Sequence, residues 1–200
     1  MKGLLFVISA PSGTGKSTLC RELVKAFPEL SYSVSMTTRE PRKGEKDGLD
    51  YYFIRRAKFE EIVKQGGFLE HAEVFANLYG TPKAPIEAAL AAGKDVLMDV
   101  DVQGAMAIKK MPDAVFIFLL PPSMSVLEQR LMQRKTDTEA QIKKRIAMAR
   151  QEISHVHSYD YAICNDDLSQ SISQLKAIVR AERCKTARNQ EVLRQLGFQI

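Results

Sequence analysis

The sequence predicts an α/β fold, a parallel sheet flanked by helices. Apolar strand-like runs alternate with helical patterns along the 200 residues, as right-handed crossovers between parallel strands require. The first apolar run, residues 4–8, leads into a glycine-rich turn and then into a helical pattern that includes Leu19 and Leu23. Residues 34–85 are richer in strand-like patterns and short loops, so a small β-rich lobe is expected beside this core.

The elements are predicted in order from periodicity and from breakers. Pro28 ends the first helix. The polar stretch 37–50 with Pro41 is predicted to be a long loop, and loops of this length are usually functional or disordered. Strands are predicted over 4–8, 31–36, 51–54, 68–75, 96–102, Ala114–Leu120 and Tyr161–Cys164. Helices are predicted over 59–64, 84–92, 104–110, 124–133, 140–153 and from Leu168 to a break near Cys184.

These elements group into one domain with three parts. The expected core comprises 1–33, 86–123 and 155–200. The β-rich lobe spans 34–85, and a helical lid spans 124–154.

Composition narrows the class of protein. The longest apolar stretch, Ala114–Leu120, stops at two prolines and falls short of the ~20 residues of a membrane span. The first strand starts too early to leave room for a signal peptide, and three cysteines without metal-type spacing suggest reduced thiols, so a cytoplasmic protein is expected. The net charge of +5 fits an anionic partner, but the basic clusters are separate, which favours small anionic substrates over nucleic acid or a membrane.

The turn after the first strand has the residues of a P-loop. Gly13 and Gly15 let backbone N–H groups crowd around a phosphate, and the following helix adds its N-terminal donors. Lys16 is suited to the β- and γ-phosphates and Ser17 to Mg²⁺. The expected ATP-binding residues of the turn are Ala10, Pro11, Ser12, Gly13, Thr14, Gly15, Lys16 and Ser17.

Ala10 departs from the P-loop pattern, which has Gly at this position. A positive φ at Ala10 would cost about 1 kcal/mol. The alternative interpretation of the whole segment is an ordinary glycine-rich turn between a strand and a helix.

The loop after residue 36 carries a candidate second phosphate site. Arg39 and Arg42 are three residues apart around Pro41, and each guanidinium can fork onto a phosphate. Tyr51 and Tyr79 could donate phenol hydrogen bonds to the same group. A solvated basic loop with ordinary strand aromatics is the alternative.

A carboxylate in the strand pattern 68–75 suggests base recognition. Guanine presents N1–H and N2–H₂ side by side, and Glu70 could accept from both, with Ser35 and Thr81 near O6. Adenine lacks this pair of donors and would leave the polar groups unpaired. A surface strand acid is the alternative.

Two acids follow the apolar run that begins at Val96. Asp99 and Asp101 are two residues apart and would share a face if the strand continued to 102. We expect Asp99 near the metal and Asp101 near the acceptor base, although the order could be reversed. Acids that cap the next helix are the alternative.

Arginines frame the polar stretch 135–139. Arg130 and Arg134 lie on one helix face and Arg145 on the next helix, so a mobile hairpin could close them over a triphosphate. Solvated helix arginines are the alternative.

Two further patterns are not assigned to a site. The segment 152–157 has metal-ligand residue types but no further ligand cluster, and the basic C-terminal helix fits a solvated face or an oligomer contact.

Taken together, these motifs resemble the guanylate kinase family. The segments that carry the resemblance follow the family's order: 9–17, 37–42, 68–72, 79–81, 99–104 and 165–167. The resemblance extends to short bacterial members, some of which also have Ala in place of the first P-loop Gly. In the lid, Gln133-Arg134-Lys135 stands where the family often has Gly-Arg-Gly, which could stiffen the hinge.

The resemblance implies a P-loop kinase core with a GMP-binding lobe and an arginine lid. It implies guanine contacts from Ser35, Glu70, Thr81 and Asp101, and contacts to the GMP phosphate from Arg39, Arg42, Tyr51 and Tyr79. Asn165 matches a position close to the ATP adenine.

The expected reaction is transfer of the γ-phosphoryl group from ATP to GMP with Mg²⁺. Positioning and charge neutralisation carry the catalysis. The expected catalytic residues are Lys16, Arg39, Arg130, Arg134 and Arg145. The alternatives are a non-catalytic protein-binding module of the same fold and a kinase for another nucleoside monophosphate.

Overall fold

The computed structural model describes residues 2–74, 76–133 and 138–197. The strands are β1 (Leu5–Ser9), β2 (Ser31–Ser33), β3 (Met36–Thr37), β4 (Tyr52–Phe53), β5 (Phe68–Val74), β6 (Asn77–Pro82), β7 (Val96–Asp99), β8 (Ala114–Leu120) and β9 (Tyr161–Cys164). The helices are α1 (Lys16–Ala26), α2 (Arg56–Lys64), α3 (Lys83–Ala91), α4 (Val102–Ala107), α5 (Met124–Met132), α6 (Glu139–Ser154), α7 (Leu168–Arg183) and α8 (Gln190–Gln195).

A five-stranded sheet forms the centre of the molecule. Its strand order is β2-β7-β1-β8-β9, and every pairing is parallel. All five residues of β1 are buried, as expected for a strand covered on both faces. The predicted α/β class with a parallel sheet flanked by helices is therefore confirmed.

The two faces of this sheet bury different helices because side chains alternate along a strand. Phe6 and Ile8 pack with Leu19 and Leu23 of α1, and α7 contributes to the same cluster. On the other face, Leu5 and Val7 pack with residues of α3 and α4. Helices therefore cover both faces of the sheet, and the carboxyl ends of its strands stay open.

A second, mixed sheet stands beside these strand ends, with strand order β4-β3-β6-β5. The strand pattern predicted over 31–36 is divided between the two sheets. Ser31–Ser33 pairs with β7, and Met36–Thr37 pairs with β4 and β6. A single strand was therefore the wrong prediction, because the chain leaves one sheet for the other between these segments. The strand β6, which completes the second sheet, was not predicted.

The strand predicted over 96–102 is also shorter than expected. It ends at Asp99, and α4 begins at Val102 with Asp101 as its N-cap. The prediction that Asp99 and Asp101 share a strand face is wrong, because the cap geometry takes Asp101 out of the strand.

In the C-terminal part, α7 ends at Arg183 and Cys184 is its C-cap, in agreement with the predicted break. Within the described ranges, no helix has the length and apolar character to cross a membrane.

Candidate active site

A cavity of about 510 Å³ opens at the carboxyl ends of the parallel strands. Parallel α/β sheets typically bind ligands at these ends. Four segments form its walls: the loop after β1, the second sheet, residues 99–103 and one face of α6. The geometry therefore brings elements that are far apart in sequence around one open cavity.

The loop after β1 has the conformation that its glycines permit. Gly13 and Gly15 adopt φ values of 94° and 97°. The expected strain at Ala10 is absent, because Ala10 is not among the described non-glycine residues with positive φ. The alanine therefore fits a position where the motif has glycine.

Lys16 lies at the mouth of α1 and makes two contacts across the cavity. Its Nζ is 2.5 Å from Oδ1 of Asp99 and donates to the carbonyl oxygen of Val100 at 2.7 Å. Burial disfavours the charged amine, but the Asp99 carboxylate outweighs this effect and raises the pKa of Lys16. Lys16 is therefore charged and held against the end of β7. Ser17, the next residue, also lines the cavity.

Two long-range hydrogen bonds hold the phosphate-binding loop. The side-chain amide of Asn165 donates to the carbonyl oxygen of Thr14 at 2.6 Å, and Asn165 is buried. Nη1 of Arg145 on α6 donates to Oγ of Ser12 at 3.0 Å. Asn165 thus supports the loop from behind, whereas Arg145 reaches it from the cavity side.

Glu70 is a buried acid in the wall formed by the second sheet. Thr81 Oγ1 donates to Glu70 Oε1 at 2.5 Å, and Ser35 Oγ lies 3.2 Å from Thr81 Oγ1. Burial raises the pKa of Glu70 to about 7, and the nearby Asp101 carboxylate adds to the shift. The three predicted base-binding residues of this wall therefore form one connected polar group.

Asp101 performs the helix-capping role that the sequence left open. Its Oδ1 accepts from the backbone N–H of Gly104 at 2.8 Å, and the residue also lines the cavity. The carboxylate thus satisfies one of the N–H groups that lack a partner at the start of α4, which is a common stabilising contact. Capping and a cavity-facing position are therefore compatible in this residue.

The predicted second phosphate site is only partly assembled. Arg42, Tyr51 and Tyr79 line the cavity, and the two tyrosine rings meet edge to face with centroids 5.9 Å apart. Burial raises the pKa of Tyr51, so its hydroxyl remains a donor at neutral pH.

Arg39 lies behind this wall. Its Nη2 donates to Glu45 Oε1 at 2.9 Å, and its Nη1 donates to the carbonyl oxygen of Glu40 at 2.7 Å. The other carboxylate oxygen of Glu45 accepts from the backbone N–H of Arg42 at 2.7 Å. Glu45 therefore ties the two arginines of the turn together and engages the guanidinium of Arg39.

The lid arginines differ in position. Arg145 lines the cavity, whereas Arg130 lies in the last turn of α5 and is not among the cavity-lining residues. Arg134 lies outside the described residues.

The structure also brings residues to the cavity that the sequence did not single out for binding. Met148, Gln151, Glu152 and His155 line the same face as Arg145. The sequence offered two signals: helical spacing from Arg145, which indicates a shared face but not what that face covers, and the polar residue types of segment 152–157, which were considered only as metal ligands.

Comparison with known proteins assigns the fold and its motifs to a family. The family model described as guanylate kinase matches residues 2–182. A guanylate kinase of Carboxydothermus hydrogenoformans is 50% identical over 198 residues, which cover 98% of this chain and 97% of that protein. A guanylate kinase of Rhodospirillum rubrum is 52% identical over 189 residues, covering 94% and 87% respectively.

The architecture matches as well. The crystal structure of guanylate kinase from Anaplasma phagocytophilum has a TM-score of 0.80 and 37% identity, covering 97% of this chain and 95% of that chain. The resemblance seen in the motifs thus extends over nearly the whole chain and its fold. The chain belongs to the guanylate kinase family.

Proposed function

We propose that this chain transfers the γ-phosphoryl group of ATP to GMP, giving ADP and GDP. The observation that carries the proposal is the position of Glu70. A buried carboxylate with two hydroxyl neighbours lines the same cavity as the P-loop. The family membership supports the same reaction.

The donor nucleotide would bind at the P-loop end. Main-chain N–H groups of residues 12–15 and the start of α1 would surround its phosphates. Lys16 would then leave Asp99 and pair with the γ-phosphate, because a γ-phosphate carries more negative charge than one carboxylate. Arg145, which reaches Ser12, would neutralise charge that develops during transfer.

The acceptor would bind against the second sheet. Glu70 would accept from N1–H and N2–H₂ of guanine, and Ser35, which lines the cavity, would turn its hydroxyl toward O6. The predicted contact of Thr81 with O6 would not form while its one hydroxyl hydrogen is donated to Glu70, so Thr81 would instead hold the Glu70 carboxylate in place. Arg42, Tyr51 and Tyr79 would contact the GMP phosphate, and Arg39 would join them by leaving Glu45. No general base is required, since the acceptor phosphate is already an anion.

Ser17 in the first turn of α1 and Asp99 at the end of β7 fit a magnesium ion held largely by phosphates. Ser17 and Asp99 both line the cavity and offer hard oxygen ligands. The described residues contain no group of three or more acidic, histidine or cysteine side chains arranged for a metal, which agrees with an ion bound mainly through ATP and water. When bound, Mg²⁺ would neutralise the β- and γ-phosphate oxygens.

We also infer which segment closes over each nucleotide and in which compartment the protein works. Segment 34–85 would close over GMP and segment 124–154 over ATP, with the remaining residues as a fixed core. Cys20, Cys164 and Cys184 are free thiols, which fits a reducing compartment such as the cytoplasm.

A coupled assay of ADP formation tests the proposal. With ATP and magnesium, we expect GMP to exceed AMP, UMP and dTMP in kcat/KM by about 10²-fold or more, because the other bases leave Glu70 without its paired donors. A preference for AMP would contradict the reading of Glu70, and ATP hydrolysis unaffected by any monophosphate would contradict phosphoryl transfer.

The pKa of Glu70 predicts that GMP binds better at higher pH. A protonated carboxyl cannot accept from both guanine donors, so lowering the pH from about 8 to about 6 should weaken GMP binding by about tenfold if the pKa is about 7. The folding stability of the free protein depends on pH in the opposite direction. Because the pKa of Glu70 is raised on folding, its contribution to stability is fully present below its ordinary pKa of 4.5 and is lost as the pH rises through about 7.

Calorimetric titration of GMP across this range measures the effect, with Glu70→Gln as the control. In the Gln variant the change in GMP affinity due to protonation of Glu70 should be absent. The remaining pH dependence should come only from the GMP phosphate and from Glu152, which faces the same cavity. Equal pH profiles for the two proteins would contradict the assignment.

Gly104 should be required for the position of the Glu70 carboxylate. A Cβ at Gly104 would lie 2.7 Å from Oε2 of Glu70, so the carboxylate must move. Gly104→Ala should raise the KM for GMP by about tenfold, equivalent to about 1–2 kcal/mol, because the side chain is forced from its place. The KM for ATP is the internal control, and an unchanged KM for GMP would contradict the prediction.

A further inference from the structure

One face of α6 runs along the cavity from the P-loop toward the acceptor end. Arg145 lies near the P-loop, where it donates to Ser12. Glu152 is seven residues further, so it lies on the same face and roughly 10 Å along the helix axis. Both side chains line the cavity.

The surroundings of Glu152 contain charges but no direct partner. No hydrogen bond or ion pair joins its carboxylate to the part of the chain that the structure describes. Burial raises the pKa of Glu152 to about 7, the Asp101 carboxylate adds to this, and Lys16 opposes it. His155 lines the same cavity, and Tyr159 lies close enough to Glu152 to interact with its charge. Glu152 is partly buried, and its carboxylate faces the cavity with no donor from the described residues, so a bound ligand can supply one.

The donors that a bound nucleotide could offer are few. Phosphate groups are anionic and would repel Glu152. The N1–H and N2–H₂ groups of guanine are matched by Glu70 under the proposed function. The ribose hydroxyls remain as neutral donors, and a carboxylate is a strong acceptor for them.

The position of Glu152 favours the acceptor nucleotide. Its largest charge interaction is with Asp101, which also interacts with Glu70 at the base-binding wall. The adenine of ATP is expected near Asn165, on the other side of the P-loop.

We propose that Glu152 binds the ribose of the acceptor nucleotide by accepting a hydrogen bond from its 2′- or 3′-hydroxyl. The inference rests on the proposed function, since it takes GMP as the acceptor. It gives α6 two tasks on one face, charge neutralisation by Arg145 and sugar recognition by Glu152. Closure of α6 over the cavity would then depend on a correct acceptor as well as on ATP.

Kinetics with modified sugars test this inference. We would measure kcat/KM for GMP, 2′-deoxy-GMP and 3′-deoxy-GMP with the unaltered protein, Glu152→Gln and Glu152→Ala. The unaltered protein should favour GMP over one deoxy analogue by about tenfold or more, as for a lost charge-assisted hydrogen bond. In Glu152→Ala this preference should fall to about twofold or less, with Glu152→Gln intermediate.

The controls separate this inference from the proposed function. Glu139→Ala, an exposed acid on the same helix, should keep the full preference. A protein that does not phosphorylate GMP at all contradicts the proposed function, and this result is visible without any variant. If Glu152→Ala slows all three acceptors equally, or alters the ratio of ATP to 2′-deoxy-ATP instead, the ribose contact to the acceptor is wrong.

Discussion

Lys16→Ala should reduce kcat by about 10³-fold or more while leaving the protein folded and able to bind GMP. Lys16 is the one cation placed by the P-loop at the start of α1, and it lies 2.5 Å from the Asp99 carboxylate that we assign to the metal site. Its removal takes positive charge away from the phosphates at the point where charge develops. The backbone N–H groups of the loop remain and still bind the phosphates, so kcat should fall by a larger factor than the affinity for ATP.

The same variant should also lose a moderate amount of stability. The Lys16 and Asp99 side chains are only 19% and 13% exposed, so an unpaired Asp99 would cost about 1–3 kcal/mol. Thermal unfolding followed by circular dichroism measures this loss, and GMP titration shows whether the acceptor site is intact. Lys25→Ala, an exposed position on the same helix, is the matched control and should keep full activity. Normal turnover in Lys16→Ala would contradict the phosphate role.

Glu70→Gln should raise the KM for GMP by about 10²- to 10³-fold, with a smaller effect on kcat. The variant amide offers one acceptor and one donor group where the guanine edge requires two acceptors. Its NH₂ group would face N2–H₂ or meet the Thr81 hydroxyl that now donates to Glu70. The preference for GMP over AMP should narrow by a similar factor.

Steady-state kinetics with both monophosphates measure this effect. Glu73→Gln is the control, because Glu73 lies on the same strand but is exposed. An unchanged preference for GMP in Glu70→Gln would show that the base is recognised elsewhere.

The features that could be predicted from the sequence are those fixed by local rules. The loop over 10–18 follows from glycines at positions with positive φ, flanked by an apolar strand and a helix. The strands β8 and β9 were predicted with their observed bounds. For β8 the signal is a continuous apolar run, which marks a strand buried on both faces, whereas β9 is a shorter strand at the edge of the sheet. The motifs of the family, which occur in the family's order, predicted where the remaining nucleotide-binding segments lie in the chain.

The features that could not be predicted depend on contacts between distant segments. Asp101 leaves the strand because its carboxylate caps α4, and spacing alone could not decide between a strand and a cap. The engagement of Arg39 by Glu45 depends on how the loop folds back on itself. The position of Glu152 in the cavity depends on how α6 packs over the sheet edge.

Binding of a single molecule that contains both nucleotides tests the central claim most directly. The claim is that ATP and GMP occupy one continuous cavity with their phosphates facing each other. We would titrate the protein by calorimetry with adenosine and guanosine joined through a pentaphosphate. We expect one molecule per chain, an affinity about 10²-fold or more above that of ATP, and displacement of both ATP and GMP. If GMP still bound to the protein saturated with this compound, the two nucleotides would not share the cavity in this way and the account would be wrong.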